Sequence, residues 1–429
     1  MENNKLGIRK WFSFIVAGLI GQLAWAIENN YLNVFVSDCT DTYFFIPLMT
    51  ALSAVAATIT TLLMGALSDR LGKRKIFISL GYIIWGVSIV LFAFLDPKQP
   101  YSFLPANALY LSGSLIVVLD CLMTFFGSTA NDSAFNAFVT DNTQESNRGK
   151  VESVLSILPL VAMIMVVLLQ GMLVNNETKD WIWFFVVFGG ITTLSGIGLI
   201  FLLPKDNISP NKEEPYLKNI IHGFRPSVIK SRPELYLALT AFMVFNIGTQ
   251  VFLPYFMVYV QDIRGFDMVS TAGPILGIAC VVTVVVGVFM EKIGKYKVVF
   301  GALGATLIGG LLLFFLLDQV SVIIGGFILM TGYLLATAVL GAKIRDYTPE
   351  NETGLFQGVR MVFVVMIPMV TGPYLGMAVS STHQDNLGNP FAVVPSQNIF
   401  ILAAAVMLLV IIPIIFLIKK EKANGKVIS

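Results

Sequence analysis

The sequence predicts an all-α polytopic membrane protein with twelve spanning helices in two pseudo-symmetric six-helix bundles. Three observations carry this. The 429-residue chain is 56% hydrophobic and only 13% charged, with a mean hydropathy of +0.79. A soluble chain this long cannot hide so much apolar surface in one core. Its apolar residues fall into twelve stretches, near 11–36, 43–68, 76–96, 106–138, 150–174, 182–203, 235–260, 269–290, 298–317, 321–342, 355–379 and 396–418. Each is about 20 residues or longer, enough to cross roughly 30 Å of hydrocarbon. Finally, one motif occurs twice. Gly65, Asp69, Arg70, Gly72, Lys73, Arg74 and Lys75 follow the second stretch, and Gly287, Glu291, Lys292, Gly294, Lys295 and Lys297 follow the eighth at the same spacing. A duplicated basic hairpin between membrane helices predicts two similar halves.

The orientation follows from the basic residues. With the N-terminus cytoplasmic, all of the 28 Lys and Arg except Lys98, Lys179, Arg264 and Arg360 fall in inner segments. That bias sets topology by the positive-inside rule and returns the C-terminus to the cytoplasm. The first stretch is too long for the apolar core of a cleavable signal and reads as a spanning helix. The net charge of +2 indicates no class of partner, and nothing points to nucleic acid. Cys39, placed in an outer loop, and Cys121 and Cys280, in two helices, have no metal or redox spacing. No His-Glu-x-x-His, phosphate-binding loop or Gly-x-Ser-x-Gly turn is present, so neither an enzyme nor a nucleotide-driven pump is expected. No metal or cofactor is expected either.

The domains are then 1–203, an N-terminal six-helix bundle; 204–234, a cytoplasmic linker; and 235–429, a C-terminal bundle. The linker contains Pro204, Pro210, Pro215, Pro226 and Pro233, and a short surface helix is expected around Tyr216–Phe224. A second duplication supports the halves. Asp141, Thr143, Glu145 and Gly149 follow the fourth stretch, with Arg148 beside them; Asp346, Thr348, Glu350 and Gly354 follow the tenth at identical spacing.

Polar residues inside the stretches mark candidate sites, because each needs a partner or a water-filled cavity. In the first stretch Gln22, Trp25, Glu28, Asn29 and Asn33 fall within an arc of roughly 140° on a regular helix. A carboxylate, amides and an indole supply the acceptors, donors and stacking surface that a hydroxyl-bearing ring needs. An ion pair that merely fixes the bundle is the alternative for Glu28. In the fourth stretch Asp120, Thr124, Gly127, Ser128 and Asn131 share a face, with Asp132 and Asn136 at its edge. Acids so deep either titrate, bind a cation or are neutral structural groups. The seventh stretch presents Asn246, Thr249 and Gln250, then Pro254 and Tyr255, where a break would free backbone carbonyls. Arg360 in the eleventh either snorkels to the cytoplasm or counters an acid.

The run from Gly65 to Lys75 resembles the signature loop of the major facilitator superfamily, and the twelve stretches resemble it over the whole chain. The resemblance implies secondary active transport without a cofactor. It also implies a cytoplasmic latch, with Asp69 facing a helix start near Gly354 and Arg70 or Arg74 approaching Asp141. Gly65, Gly72, Arg148, Glu291 and Asp346 belong to the same loops. Gln22 to Glu28 further resembles the opening of the sucrose–proton symporters, within the glycoside–pentoside–hexuronide:cation symporter group. The chain departs from the sucrose carriers in the fourth stretch, where Phe125, Ser128, Thr129 and Asn136 occupy their Asp, paired Asn and Arg positions. It also lacks acids before Asp69 in the second stretch, so coupling to protons is expected over Na⁺.

The expected function is uptake of a sugar or glycoside by alternating access. Substrate-binding residues would be Gln22, Trp25, Glu28, Asn29, Asn131, Asn246, Gln250 and Tyr255, and Glu28, Asp120 and Asp132 would be coupling acids. A proton-coupled exporter of drugs or metabolites and a non-transporting membrane sensor are the alternatives. The protein is expected as a monomer in the plasma membrane, with the lipid bilayer and a small solute as its partners.

Overall fold

The computed structural model describes residues 7–143, 151, 154–155, 157–175, 178–206, 223–348, 353–383 and 392–424. They form two compact units, Met1–Glu214 and Pro215–Ser429, divided within the proline-rich segment 204–234. The first unit contains α1 (Ile8–Thr40), α2 (Phe45–Leu71), α3 (Lys75–Leu95), α4 (Leu109–Asp141), α5 (Leu158–Leu173) and α6 (Ile182–Leu202). The second contains α7 (Pro233–Ile263), α8 (Met268–Ile293), α9 (Lys295–Phe315), α10 (Gln319–Tyr347) and α12 (Asn398–Ala423). Between the last two lies α11, built from Thr353–Arg360, Met361–Met366 and Ile367–Ala378. Among the described residues eleven helices are long and apolar enough to cross a membrane; α5 is the shorter twelfth.

Each unit repeats the same pairings. In the first, α2 packs on α4 and α1 on α5; in the second, α8 packs on α10 and α7 on α11. Small residues let backbones touch where packing is tightest. A Cβ on Gly86 of α3 would lie 2.6 Å from the Gly189 carbonyl of α6, and one on Gly309 of α9 would lie 2.8 Å from the Gly325 carbonyl of α10. The duplicated hairpins share a backbone device. Gly72 ends α2 at φ +62° and Gly294 ends α8 at φ +97°, conformations that side chains disfavour.

Several boundaries differ from the sequence reading. Helix α1 continues to Thr40, so Cys39 is buried inside it and not in a loop. The surface helix expected at Tyr216–Phe224 falls largely on residues outside the description; the helix described there is Pro226–Ser231, opened by a proline in its first turn. One short hairpin accompanies the helices. Ser381–His383 pairs antiparallel with Ala392–Val394 between α11 and α12, in strands too short to leave an alternating pattern.

The contacts at Asp38 explain why α1 continues past the expected end. Asp38 is 2% exposed, accepts from the Trp181 indole at 3.0 Å and pairs with Lys179. Lys98 donates to the Asp38 carbonyl at 2.5 Å and pairs with Asp41 at 2.6 Å. Two bases that broke the charge bias, Lys98 and Lys179, are thus paired with acids of α1 and the residue that caps it. Asp38→Ala would leave the buried Trp181 N–H without its acceptor, at about 1–3 kcal/mol. Lys179 is half-exposed, so Lys179→Ala should lose only about 0–1 kcal/mol. Melting curves in detergent should therefore fall by several degrees for Asp38→Ala and far less for Lys179→Ala.

Candidate functional site

Among the described residues, four helices widen into π turns: α1 at Ile27–Tyr31, α4 at Ser128–Phe135, α7 at Tyr259–Ile263 and α11 at Met361–Met366. Each π turn inserts an extra residue, leaves a backbone group seeking a partner and rotates the chain beyond it. In α1 the asparagines answer that need. Asn29 donates to the Trp25 carbonyl at 2.8 Å, Asn30 to Ala26 at 2.9 Å and Asn33 to Asn29 at 3.4 Å. The predicted polar stripe therefore does not stay whole. Glu28 is 7% exposed while its neighbour Asn29 is exposed, and the amide nitrogens of Asn29 and Asn33 serve the backbone.

Glu28 points to α4, where Thr124 donates to its Oε1 at 2.9 Å. Asp120, one turn before Thr124, is 1% exposed and within electrostatic reach of Glu28, and Ser53 of α2 lies against it. Glu28 Oε2 and Asp120 Oδ1 are buried without a hydrogen-bond donor. Asp132 is half-buried and accepts from Ser128 at 3.0 Å, within its own π turn.

Beside the acids stands an aromatic plate. Trp25 and Trp85 lie 4.8 Å apart between ring centroids, and Tyr82 is 5.6 Å from Trp85. Gly127 makes room: a Cβ there would fall 2.8 Å from Trp85 and 3.1 Å from Trp25. Asn131 joins the plate, accepting from the Trp25 indole at 3.3 Å. Gln22, one turn before Trp25, is half-buried. The sequence reading missed Ser53, Tyr82 and Trp85. A Tyr and a Trp three residues apart in the middle of a span, away from the interfacial belts where they usually sit, were the available signal for the last two.

In the second unit the expected residues hold a helix seam. Asn246 donates to the Val364 carbonyl at 2.8 Å. That carbonyl lies in the π turn of α11, so Asn246 supplies a donor from outside the helix where the regular ladder is disturbed. Tyr255 is 2% exposed and donates to the Pro373 carbonyl at 2.8 Å. Gln250 is half-buried where α11 presses closest, with a Cβ on Gly372 only 2.4 Å from its own. The expected break at Pro254 is absent. Helix α7 continues through it and widens only at Tyr259.

At the hairpin end of the first unit, Arg74 rather than Arg70 meets Asp141, at 3.1 Å, and also bonds Ser68. Arg70 is exposed and Gly65 half-buried. In the second unit Lys295 pairs with Asp346 at 2.8 Å. The counterpart of Arg74 is Tyr296, whose ring lies 4.1 Å from the Lys343 ammonium, and Lys343 pairs with buried Glu421 at 3.1 Å. Arg148 and the side chains of Asp69 and Glu291 lie outside the described residues.

The family model of the Major Facilitator Superfamily matches residues 11–373 and, again, 280–429. The chain belongs to that superfamily, and it is a transporter, not an enzyme. Solved structures share the fold. The nucleoside transporter NupG aligns with a TM-score of 0.71 at 10% identity, over 95% of this chain and 99% of its own. The xylose transporter XylE from E. coli gives 0.70 at 13% identity, over 94% and 97%. A bacterial homologue of the human lysosomal transporter Spinster gives 0.67 at 14%, over 96% and 97%. No curated protein sequence matches.

Asn246→Ala should remove a hydrogen bond from the Val364 carbonyl and weaken the π turn of α11 by about 1–2 kcal/mol, or roughly tenfold in local opening. Hydrogen exchange over Met361–Met366 should accelerate in Asn246→Ala and stay unchanged in Gln250→Ala.

Proposed function

We propose that this superfamily member is a proton-coupled symporter that takes up a sugar or glycoside by alternating access across the plasma membrane, with both termini cytoplasmic. The observation that carries the reading is the buried carboxyl pair Glu28 and Asp120, set beside the Trp25–Trp85 plate. Acids at this depth are tolerated where a proton or cation neutralises them. A proton on either carboxyl would relieve the repulsion between the two acids and turn an orphan acceptor into a donor. Asp132 is the secondary candidate, because it is only half-buried and neither of its oxygens is a buried atom without a partner. The half-buried Trp25 indole, backed by the fully buried Trp85, offers a surface for the C–H side of a sugar ring, and Gln22 and the oxygen of Asn29 offer polar contacts at its edge. The protein is proposed to work as a monomer, as each unit carries its own helix pairings.

The pairs Arg74–Asp141 and Lys295–Asp346 are the proposed cytoplasmic latch, in the hairpins that contain Gly65, Asp69, Gly72 and Glu291. A latch stabilises one state of the cycle over another, so its loss changes turnover before affinity. Arg74→Ala should lower turnover about tenfold, a shift of ~1.4 kcal/mol, with KM nearly unchanged.

Proteoliposomes loaded against a panel of radiolabelled sugars and glycosides test the coupling. An imposed proton gradient should drive accumulation in the native protein. Glu28→Gln and Asp120→Asn should lose that accumulation while still exchanging solute in counterflow. Undiminished accumulation in both variants would remove the carboxyl pair from coupling. Proton-linked efflux of cationic dyes, with no sugar accumulated, would replace the uptake reading by an exporter.

A further inference from the structure

We infer that Tyr82 is a positioning residue: through the Asn131 amide it fixes Trp25 as the stacking face for a hydroxyl-bearing ring. The inference rests on the proposed uptake of a sugar or glycoside and names a residue of that same site. Three hydrogen bonds run in sequence across α1, α3 and α4. The Trp25 indole donates to Asn131 Oδ1 at 3.3 Å, Asn131 Nδ2 donates to Tyr82 Oη at 2.7 Å, and Tyr82 Oη donates to the Ala17 carbonyl at 2.6 Å.

The direction of this relay is forced. An indole N–H only donates, so Asn131 must turn its oxygen toward Trp25. Its nitrogen then faces Tyr82, whose hydroxyl must accept. The phenolic proton is left for Ala17, on the helix that carries Trp25. Tyr82 is fully buried and Asn131 only 5% exposed, so neither has water as an alternative partner. Trp25 is half-buried and keeps an accessible edge. The relay engages one hydrogen and one lone pair of the Asn131 amide.

Gly21 is built for this arrangement. A Cβ there would fall 2.2 Å from Asn131 Nδ2 and 2.6 Å from Tyr82 Oη, so any side chain at 21 displaces both groups. Removal of the Tyr82 hydroxyl leaves the amide nitrogen unpaired and free to turn, and Trp25 loses its fixed acceptor. The ring itself stays packed on Trp85, which separates positioning from simple support.

The test uses full-length protein labelled with 5-fluorotryptophan. The Trp25 resonance is identified by its disappearance in Trp25→Phe, and the resonance of Trp181, bonded to Asp38, reports on folding. Tyr82→Phe should shift and broaden the Trp25 signal and leave that of Trp181 in place; Gly21→Ala should do the same. For a sugar that the native protein accumulates, Tyr82→Phe should raise KM about tenfold with Vmax within about twofold. Asn131→Ala should give a similar rise, and the double variant no more than the larger single loss, because the residues act as one unit. An unmoved Trp25 resonance with unchanged KM, or losses that multiply in the double variant, would overturn the relay. Failure of every sugar in the native protein would instead sink the uptake reading, while the resonance still decides whether Tyr82 holds Trp25.

Discussion

A polar group inside the hydrocarbon layer has no water to turn to, and its need for an internal partner organises much of this molecule. The four π turns show the need at backbone level, since each disturbs the regular ladder. Asn29, Asn30 and Asn33 return their amides to carbonyls of α1, and Asn246 crosses from α7 to serve a carbonyl in the π turn of α11. Side chains that look like ligands in the sequence thus make the irregular helices tolerable. Against that background, a buried carboxylate oxygen without a donor stands out. Glu28 Oε2 and Asp120 Oδ1 are two such atoms on neighbouring helices.

The duplicated hairpins show how a repeat keeps its backbone and exchanges its chemistry. Gly72 and Gly294 preserve the unusual turn, as the geometry demands. The position after the next residue has diverged from Arg74 to Tyr296. The first unit buries a guanidinium against Asp141, whereas the second places a ring under the ammonium of Lys343 and takes its acid, Glu421, from α12. A cation is retained near the hairpin in both units. In the second unit Lys295 of the hairpin holds Asp346, and Lys343 of α10 adds a second cation beside Tyr296.

What was legible in the sequence follows the physics of each signal. Span length, charge bias and the hairpin motif are long or repeated, so the helical architecture and the superfamily could be read directly. Cys39 was misplaced because the buried Asp38 that prolongs α1 looks, in sequence, like a loop acid. The polar stripe of α1 was drawn at 100° per residue, and the π turn at Ile27–Tyr31 breaks that assumption between Glu28 and Asn29. Pro254 looked like a break, yet α7 continues through it. Tyr82 and Trp85 reach the site from α3, and only the packing of three helices reveals that they meet Asn131 and Trp25.

Helix α4 ties the proposed coupling site to the proposed solute site. Asp120, Thr124, Gly127 and Asn131 follow one another at intervals of four, three and four residues, so the carboxyl pair and the relay lie on one face, one to three turns apart. On α1, Trp25 and Glu28 are spaced to match. Thr124 donates to Glu28 at one level and Asn131 accepts from Trp25 at the next, so the same two helices are bonded twice. A proton that alters how Glu28 engages α4 would act on the helix pair that also sets Trp25. In the proposed cycle, proton and solute therefore need no long path to sense each other. The two bonds between α1 and α4 are enough, provided the π turns let each helix rotate locally about the other.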